Sequence, residues 1–242
     1  MVKNKRKKAP LLTVEQLLYS QGFGFRHECR ALCLQGYVYI DGVQQNDPDA
    51  ELTSFKEGAP FTVDGKSWPY HTQVYIALNK PAGYECSQKP STYPSVYALL
   101  PAPLRTRGVQ AAGRLDADTT GLLLFSDDGQ FIHRAISGKR ETPKVYRITA
   151  KHEITSKQIE KLLNGVKLDD EPEPIAAAAC EQLDSHTLLL TITTGKYHQV
   201  KRMIAAAGNR VEALHRETVG KLTLPDTLKI GEWMWVVPEQ VL

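Results

Sequence analysis

The sequence predicts an α+β protein in which a small N-terminal domain of two helices and a hairpin precedes a larger domain built on a mixed, mainly antiparallel sheet. Three observations carry this expectation. Two short helical segments run into a strand that meets an Asp41-Gly42 turn, a strong hairpin signal. Beyond residue 70, apolar or alternating runs of strand length recur: Val74–Leu78, Leu122–Phe125, Lys144–Ala150, Leu188–Thr193, Val211–Leu214 and Glu232–Val237. Only a few helical segments separate them, so the strands have near neighbours to pair with.

At 242 residues with 42% hydrophobic content, the chain is long enough to bury its own core in one large domain, or a large and a small one. A formal charge of +3 gives no argument for a nucleic-acid partner; only the placement of charge can. Five of the first eight residues are Lys or Arg, and residues 1–9 read as a basic, disordered tail that either contacts phosphate or is simply solvated. No apolar segment follows that could serve as a signal peptide or membrane span, so a cytoplasmic protein is expected. Cys29, Cys33, Cys86 and Cys180 form no CxxC pair and are expected to be reduced. His133, His198 and His215 lack paired ligand spacing, so no metal site is expected.

Taken in order, Thr13 and Gln16 form a capping box that starts the first helix, with Val14, Leu17 and Leu18 as its apolar stripe. A second helix spans about Arg26 to Leu34 and ends near Gly36. Tyr37–Ile40 alternates as a strand, and Glu57-Gly58 and Asp64-Gly65 mark further turns. Trp68-Pro69-Tyr70-His71 reads as the join, giving domains over 10–68 and 69–242. Val74–Leu78 runs into Asn79-Lys80-Pro81, where the proline stops the ladder and Lys80 should project at a strand end, in a structural or phosphate-binding role.

The segment Gln110–Gly129 organises the larger domain. Gly113 and Gly121 bracket Asp116, and the apolar run Leu122–Phe125 behind it reads as a buried strand closed by an Asp127-Asp128-Gly129 turn. A carboxylate is thereby held on a bent loop at the mouth of a sheet; spacing alone leaves open whether it does chemistry or bonds loop amides. Gln130–Ile136 is then a short helix, and period two puts Lys144, Tyr146 and Ile148 on one face of the next strand. A Thr155–Gln158 capping box opens a helix ending at Asn164-Gly165. The last helix, from about Tyr197 to Ala207, has Val200, Met203, Ile204 and Ala207 as its stripe. Lys201 lies at the border of that stripe, Arg202 points well away and His198 faces roughly opposite, which suits a capping or an RNA-contact role.

The run GRLDADTTGLLLFSDDG resembles the central signature of the ribosomal pseudouridine synthases, in the RsuA/RluB/RluE/RluF group. NKPAGYECS (79–87), KVYRI (144–148) and GKYHQVKRM (195–203) match further motifs of that family in the same order, and LHRETVG (214–220) resembles its small-subunit branch. The helix, helix, hairpin order of residues 10–68 resembles the S4-type RNA-binding domain of the same group, although Thr13–Gln16 replaces the usual Arg-Leu-Asp-Lys opening.

The resemblance implies isomerisation of a uridine within ribosomal RNA, 16S first and 23S as the alternative, without a cofactor. It places Asp116 as the essential carboxylate, Lys201 as its cationic partner and Tyr146 as an aromatic platform for the base. Arg114 is read as entering the space left by the extruded base. Lys80, Lys144, His198 and Arg202 are further candidate RNA or base contacts in the larger domain, and Arg26 and Arg30, four apart on one helical face, in the smaller. Ribosomal RNA, either naked or in an assembling small-subunit particle, is the expected partner. Two other readings stay open on the residues. If extended, Asp116 and Asp118 would lie about 7 Å apart on one face, as in an inverting glycoside or nucleoside hydrolase. The basic tail and small domain also suit a non-catalytic ribosome-assembly factor.

Overall fold

The structure is a computed structural model that describes residues 12–53 and 55–242; the basic tail read over residues 1–9 lies outside them. The chain divides into two compact units, one reaching Gln73 and including Pro101–Val109, the other made of Val74–Leu100 and Gln110–Leu242.

In the first unit, Thr13 caps helix α1 (Val14–Ser20). Its hydroxyl accepts from the Gln16 amide at 3.2 Å while the Gln16 side chain accepts from the Thr13 amide at 3.0 Å. Helix α2 (Arg26–Leu34) turns Cys29 and Cys33 inward against Val14, Leu17 and Leu18. Burial pushes both thiols up to about 11, so they are protonated packing groups. Strand β1 (Val38–Ile40) reverses through Asp41 (φ 49°) and Gly42 (φ 76°) into β2 (Val43–Gln44), the pair of left-handed residues that a two-residue hairpin requires. β3 (Pro60–Val63) and β4 (Lys66–Pro69) turn in the same way through Asp64-Gly65, and the four strands order as β2-β1-β3-β4. A short helix, α3 (Ala102–Thr106), belongs to this unit although it lies far along the chain; after it, Arg107 donates to the His71 carbonyl at 2.7 Å and to Gln21 at 3.0 Å.

The second unit is built on a sheet whose main path runs β8-β9-β7-β10-β6-β5-β11. Its strands are β5 (Tyr75–Lys80), β6 (Thr120–Ser126), β7 (Lys144–Ala150), β8 (Ala179–Gln182), β9 (Thr187–Ile192), β10 (Val211–Val219) and β11 (Trp233–Trp235). Along this path neighbours pair antiparallel except β6 with β10, which are parallel through Thr120↔His215 and Gly121↔Arg216. The mixed, mainly antiparallel α+β architecture expected for this part of the chain is therefore present.

Strand β6 is the apolar spine: Leu122 to Phe125 are all buried, because both faces of the strand are covered. Leu122 and Leu124 pack on Phe131 and Ala135 of α4 (Gly129–Ile136), which is capped by the Asp128 carboxylate accepting from the Gln130 amide. Gly121 sits at φ +103°, and a Cβ there would lie 2.3 Å from the Arg216 carbonyl oxygen, so only glycine lets β6 and β10 approach this closely. On β7 the alternation holds, with Lys144, Tyr146, Ile148 and Ala150 buried. Helix α5 (Ser156–Asn164) begins at the Thr155–Gln158 box, and α6 (Gln199–Ala207) buries Val200, Met203, Ile204 and Ala207.

Three elements differ from the sequence expectation. Strand β10 continues past Leu214 to Val219, because Arg216 turns inward and breaks the apolar pattern that would mark a strand. Helix α6 starts at Gln199 rather than near Tyr197, since His198 adopts a left-handed conformation (φ 46°) that stops the helix there. Strand β5 continues through Lys80, so the lysine ends a buried strand instead of projecting from it.

Candidate active site

The loop before β6 is shaped from beneath by Lys80. Its ammonium is fully buried and donates to the carbonyl oxygens of Thr119 (2.8 Å), Pro81 (3.0 Å), Asp116 (3.1 Å) and Ala117 (3.2 Å). Desolvation pushes its pKa below the ordinary lysine value, partly opposed by Asp118 and Asp116. Of the two roles left open by the sequence, this is the geometry of the structural one. A turn closed by the Thr119 amide on the Asp116 carbonyl at 3.1 Å lifts the Asp116 side chain out of the loop. Asp116 and Asp118 therefore lie on a turn, not on an extended strand.

Two groups from the start of α6 meet Asp116. Lys201 Nζ lies 3.1 Å from Oδ2, and His198 Nε2 lies 3.2 Å from Oδ1. Lys201 also donates to both oxygens of Asp118, at 2.6 and 2.9 Å. Burial works against the charge of Lys201, but its hydrogen bonds with Asp118 and Asp116 outweigh that and hold its pKa above the ordinary lysine value. Asp118 responds oppositely: burial raises its pKa, and Lys201 more than reverses this, keeping it ionised. His198 reaches the carboxylate only because it caps α6 in the left-handed region, a strained placement for a non-glycine residue costing about 1–2 kcal/mol. Its ring is stacked by the exposed Tyr197, with centroids 3.9 Å apart.

Asp116 opens onto a cleft of about 430 Å³ that holds Arg114, Lys144, Tyr146, Lys196, Lys201 and Arg216 among its walls. Tyr146 is buried on β7, with Arg216 Nη1 donating to its hydroxyl at 3.4 Å. Lys144 is also buried and donates to the Thr142 carbonyl at 2.9 Å; burial first, and Arg216 second, push its pKa below the ordinary lysine value. Arg114 is exposed at the rim and pairs with no carboxylate among the described residues. The structure thus gathers Asp116, Lys201, His198, Tyr146, Lys144 and Arg114 around one cleft.

The remaining candidates lie elsewhere. Arg202 is bidentate to Asp170 and donates to the Tyr197 carbonyl at 3.0 Å, so it braces the turn before α6. In the first unit, Arg26 pairs with Glu15 at 2.6 Å, and Arg30 pairs with Glu15 at 3.0 Å and with Asp49 at 2.7 Å. Arg216 was not singled out from the sequence, yet it forms the floor of the cleft; the signal was a lone arginine inside an otherwise matching motif, LHRETVG. Among the described residues no cluster of three or more His, Cys, Asp and Glu side chains could hold a metal, and no helix is long and apolar enough to cross a membrane.

A cleft with a paired carboxylate at its mouth, an aromatic wall and an excess of cations suits an electron-rich, planar substrate carrying phosphate. Comparisons with known proteins agree with this. Residues 74–206 match the family model described as RNA pseudouridylate synthase. The chain is 40% identical over 218 residues to ribosomal small subunit pseudouridine synthase A of Vibrio parahaemolyticus, covering 89% of this chain and 92% of that one. It is 41% identical over 171 residues to the protein of the same name from Escherichia coli K12, covering 71% and 74%. A solved crystal structure of a pseudouridylate synthase superposes with a TM-score of 0.66 at 32% identity, over 95% of this chain and 97% of the other.

Proposed function

Because the chain belongs to the RNA pseudouridylate synthase family, we propose that it isomerises one specific uridine of 16S ribosomal RNA to pseudouridine, with Asp116 essential and no cofactor. The chain is an RNA pseudouridine synthase, an isomerase. The small-subunit substrate is supported by the names of relatives about 40% identical over most of their length.

The observation that carries the role of Asp116 is its pairing with Lys201 at 3.1 Å at the mouth of the cleft that contains Tyr146. The cation aims the carboxylate, while the loop is held from below by Lys80. In the reaction the N1–C1′ bond breaks, leaving its electron pair on the uracil. The base turns, C5 bonds to C1′, the C5 proton is lost and N1 gains one, so the product has the formula of the substrate. An anionic group beside the sugar is needed while the sugar is electron-poor, and Asp116 fills that place. Tyr146 offers its ring to the base, and Arg114 at the rim occupies the space left in the RNA stack.

In this reading residues 10–68 form an S4-type RNA-binding domain that helps placement, the protein works in the cytoplasm, and its substrate is naked RNA or an assembling small-subunit particle. Arg26, the more exposed of the two arginines, is the first candidate for phosphate there. The test compares wild type with Asp116→Asn on 16S and 23S transcripts tritiated at C5 of uridine. Tritium release from 16S RNA by wild type alone is expected. Release from 23S RNA only would move the substrate to the large subunit, and full release by Asp116→Asn would remove the carboxylate from the chemistry.

A further inference from the structure

Arg216 is an unusual arginine for a protein interior. It is only 3% exposed, its Nε donates to the Leu122 carbonyl at 2.7 Å, and its Nη1 reaches the Tyr146 hydroxyl at 3.4 Å. Its Nη2 is buried without an acceptor, and among the described residues no carboxylate pairs with the guanidinium. An arginine stays charged at any working pH, so a structural arginine this deep would be expected to have a counter-charge. Here Lys144, another cation lining the cleft, adds charge of the same sign, and Asp116 is taken by Lys201 and His198. Arg216 thus brings to the wall of the cleft a cation with one buried N–H that lacks an acceptor.

Resting on the synthase reading, we propose that Arg216 is a catalytic residue whose free Nη2–H donates to a uracil carbonyl oxygen while the base is detached from the ribose. At that stage the electron pair of the broken N1–C1′ bond is shared between the ring and its two carbonyl oxygens, so a fixed cation there acts most strongly when the charge develops. The geometry favours the base over a backbone phosphate. The guanidinium carbon lies 5.9 Å from the centroid of the Tyr146 ring, within reach of the edge of a base held at that ring, and at 3% exposure the group is too deep for a hydrated phosphate. Because Arg216 donates to the tyrosine oxygen, it also fixes that hydroxyl's direction.

The test is a cycle between enzyme and substrate under single-turnover conditions, using 16S transcripts with uridine, 2-thiouridine or 4-thiouridine at the mapped target. Sulfur accepts hydrogen bonds more weakly than oxygen. Arg216→Met should lower the rate constant about 100-fold with RNA affinity unchanged. Thio-substitution at the contacted position should slow wild type about tenfold and the variant less than about twofold. Equal slowing of both enzymes at both positions would overturn the proposal. So would a variant that loses affinity but keeps its rate, which is the signature of a phosphate contact. If Arg216→Met does not melt cooperatively, Arg216→Lys is put through the same cycle with the same criteria. A wild type that converts no unmodified RNA would instead sink the synthase reading itself.

Discussion

Replacing Lys80 by methionine keeps an unbranched apolar stem and removes the ammonium. Four carbonyl oxygens then lose a donor, but they do not lose equally. Ala117 O still accepts from the Gly83 amide at 2.8 Å and Asp116 O from the Thr119 amide at 3.1 Å, whereas Pro81 O and Thr119 O lose the shortest of the four Lys80 contacts, at 3.0 and 2.8 Å. Two carbonyls weakened at about 1–3 kcal/mol each come to roughly 2–6 kcal/mol. Part is returned because a charge that burial disfavours has been removed, leaving an expected loss of about 2–4 kcal/mol. Urea unfolding of the two proteins measures it. Activity should fall further than stability explains, by about 100-fold in a protein still folded, because the loop that aims Asp116 relaxes. A variant within about 0.5 kcal/mol of wild type and fully active would refute the reasoning, since that is the scatter of an inert substitution.

Gly121→Ala should cost about 3 kcal/mol or more, seen as a lowered melting temperature, because it combines a left-handed φ with a contact to the backbone of β10 that cannot yield. His215, whose ring nitrogen is 2.8 Å from the Thr120 hydroxyl, has its pKa lowered below 6.5 by burial, against a smaller opposing pull from Glu217. The unfolded chain then takes up a proton first, so stability should fall as pH drops through 6.5 and level off below the folded value. His215→Gln should remove that part of the urea-midpoint slope between pH 7.5 and 5. For the smaller unit, Arg26→Ala should reduce the salt slope of RNA binding by about one, measured by fluorescence anisotropy. An unchanged slope would show that Arg26 serves only its pair with Glu15.

What the sequence revealed follows from how local its signals are. Capping boxes at Thr13 and Thr155, the Asp-Gly turns and the stripe on α6 each involve neighbours within a turn, and each lies where it was read. The pairing of Asp116 with Lys201 joins residues far apart in the chain, and only the family resemblance suggested it. Three features escaped because they invert ordinary rules. Lys80 and Arg216 are cations in the interior, and polarity pointed them outward. A helix read from Tyr197 starts two residues too early and turns His198 away from the stripe; its left-handed backbone, invisible to periodicity, aims it at the carboxylate. Helix α3 carried no cap or stripe long enough to register, with five residues and a proline within its first turn.

The parallel pairing of β6 with β10 also sets when the site can come into being. It joins Gly121 to Arg216 across 95 positions of chain, and parallel neighbours cannot be reached by a local hairpin. Such long closures are slow steps in folding, completed only after the nearer contacts have reduced the search. During synthesis, a chain that has emerged only as far as α6 carries Asp116, Tyr146 and Lys201 but still lacks the strand that supplies the floor of the cleft. The order in which the ribosome delivers these segments therefore withholds a finished cleft until β10 has been made.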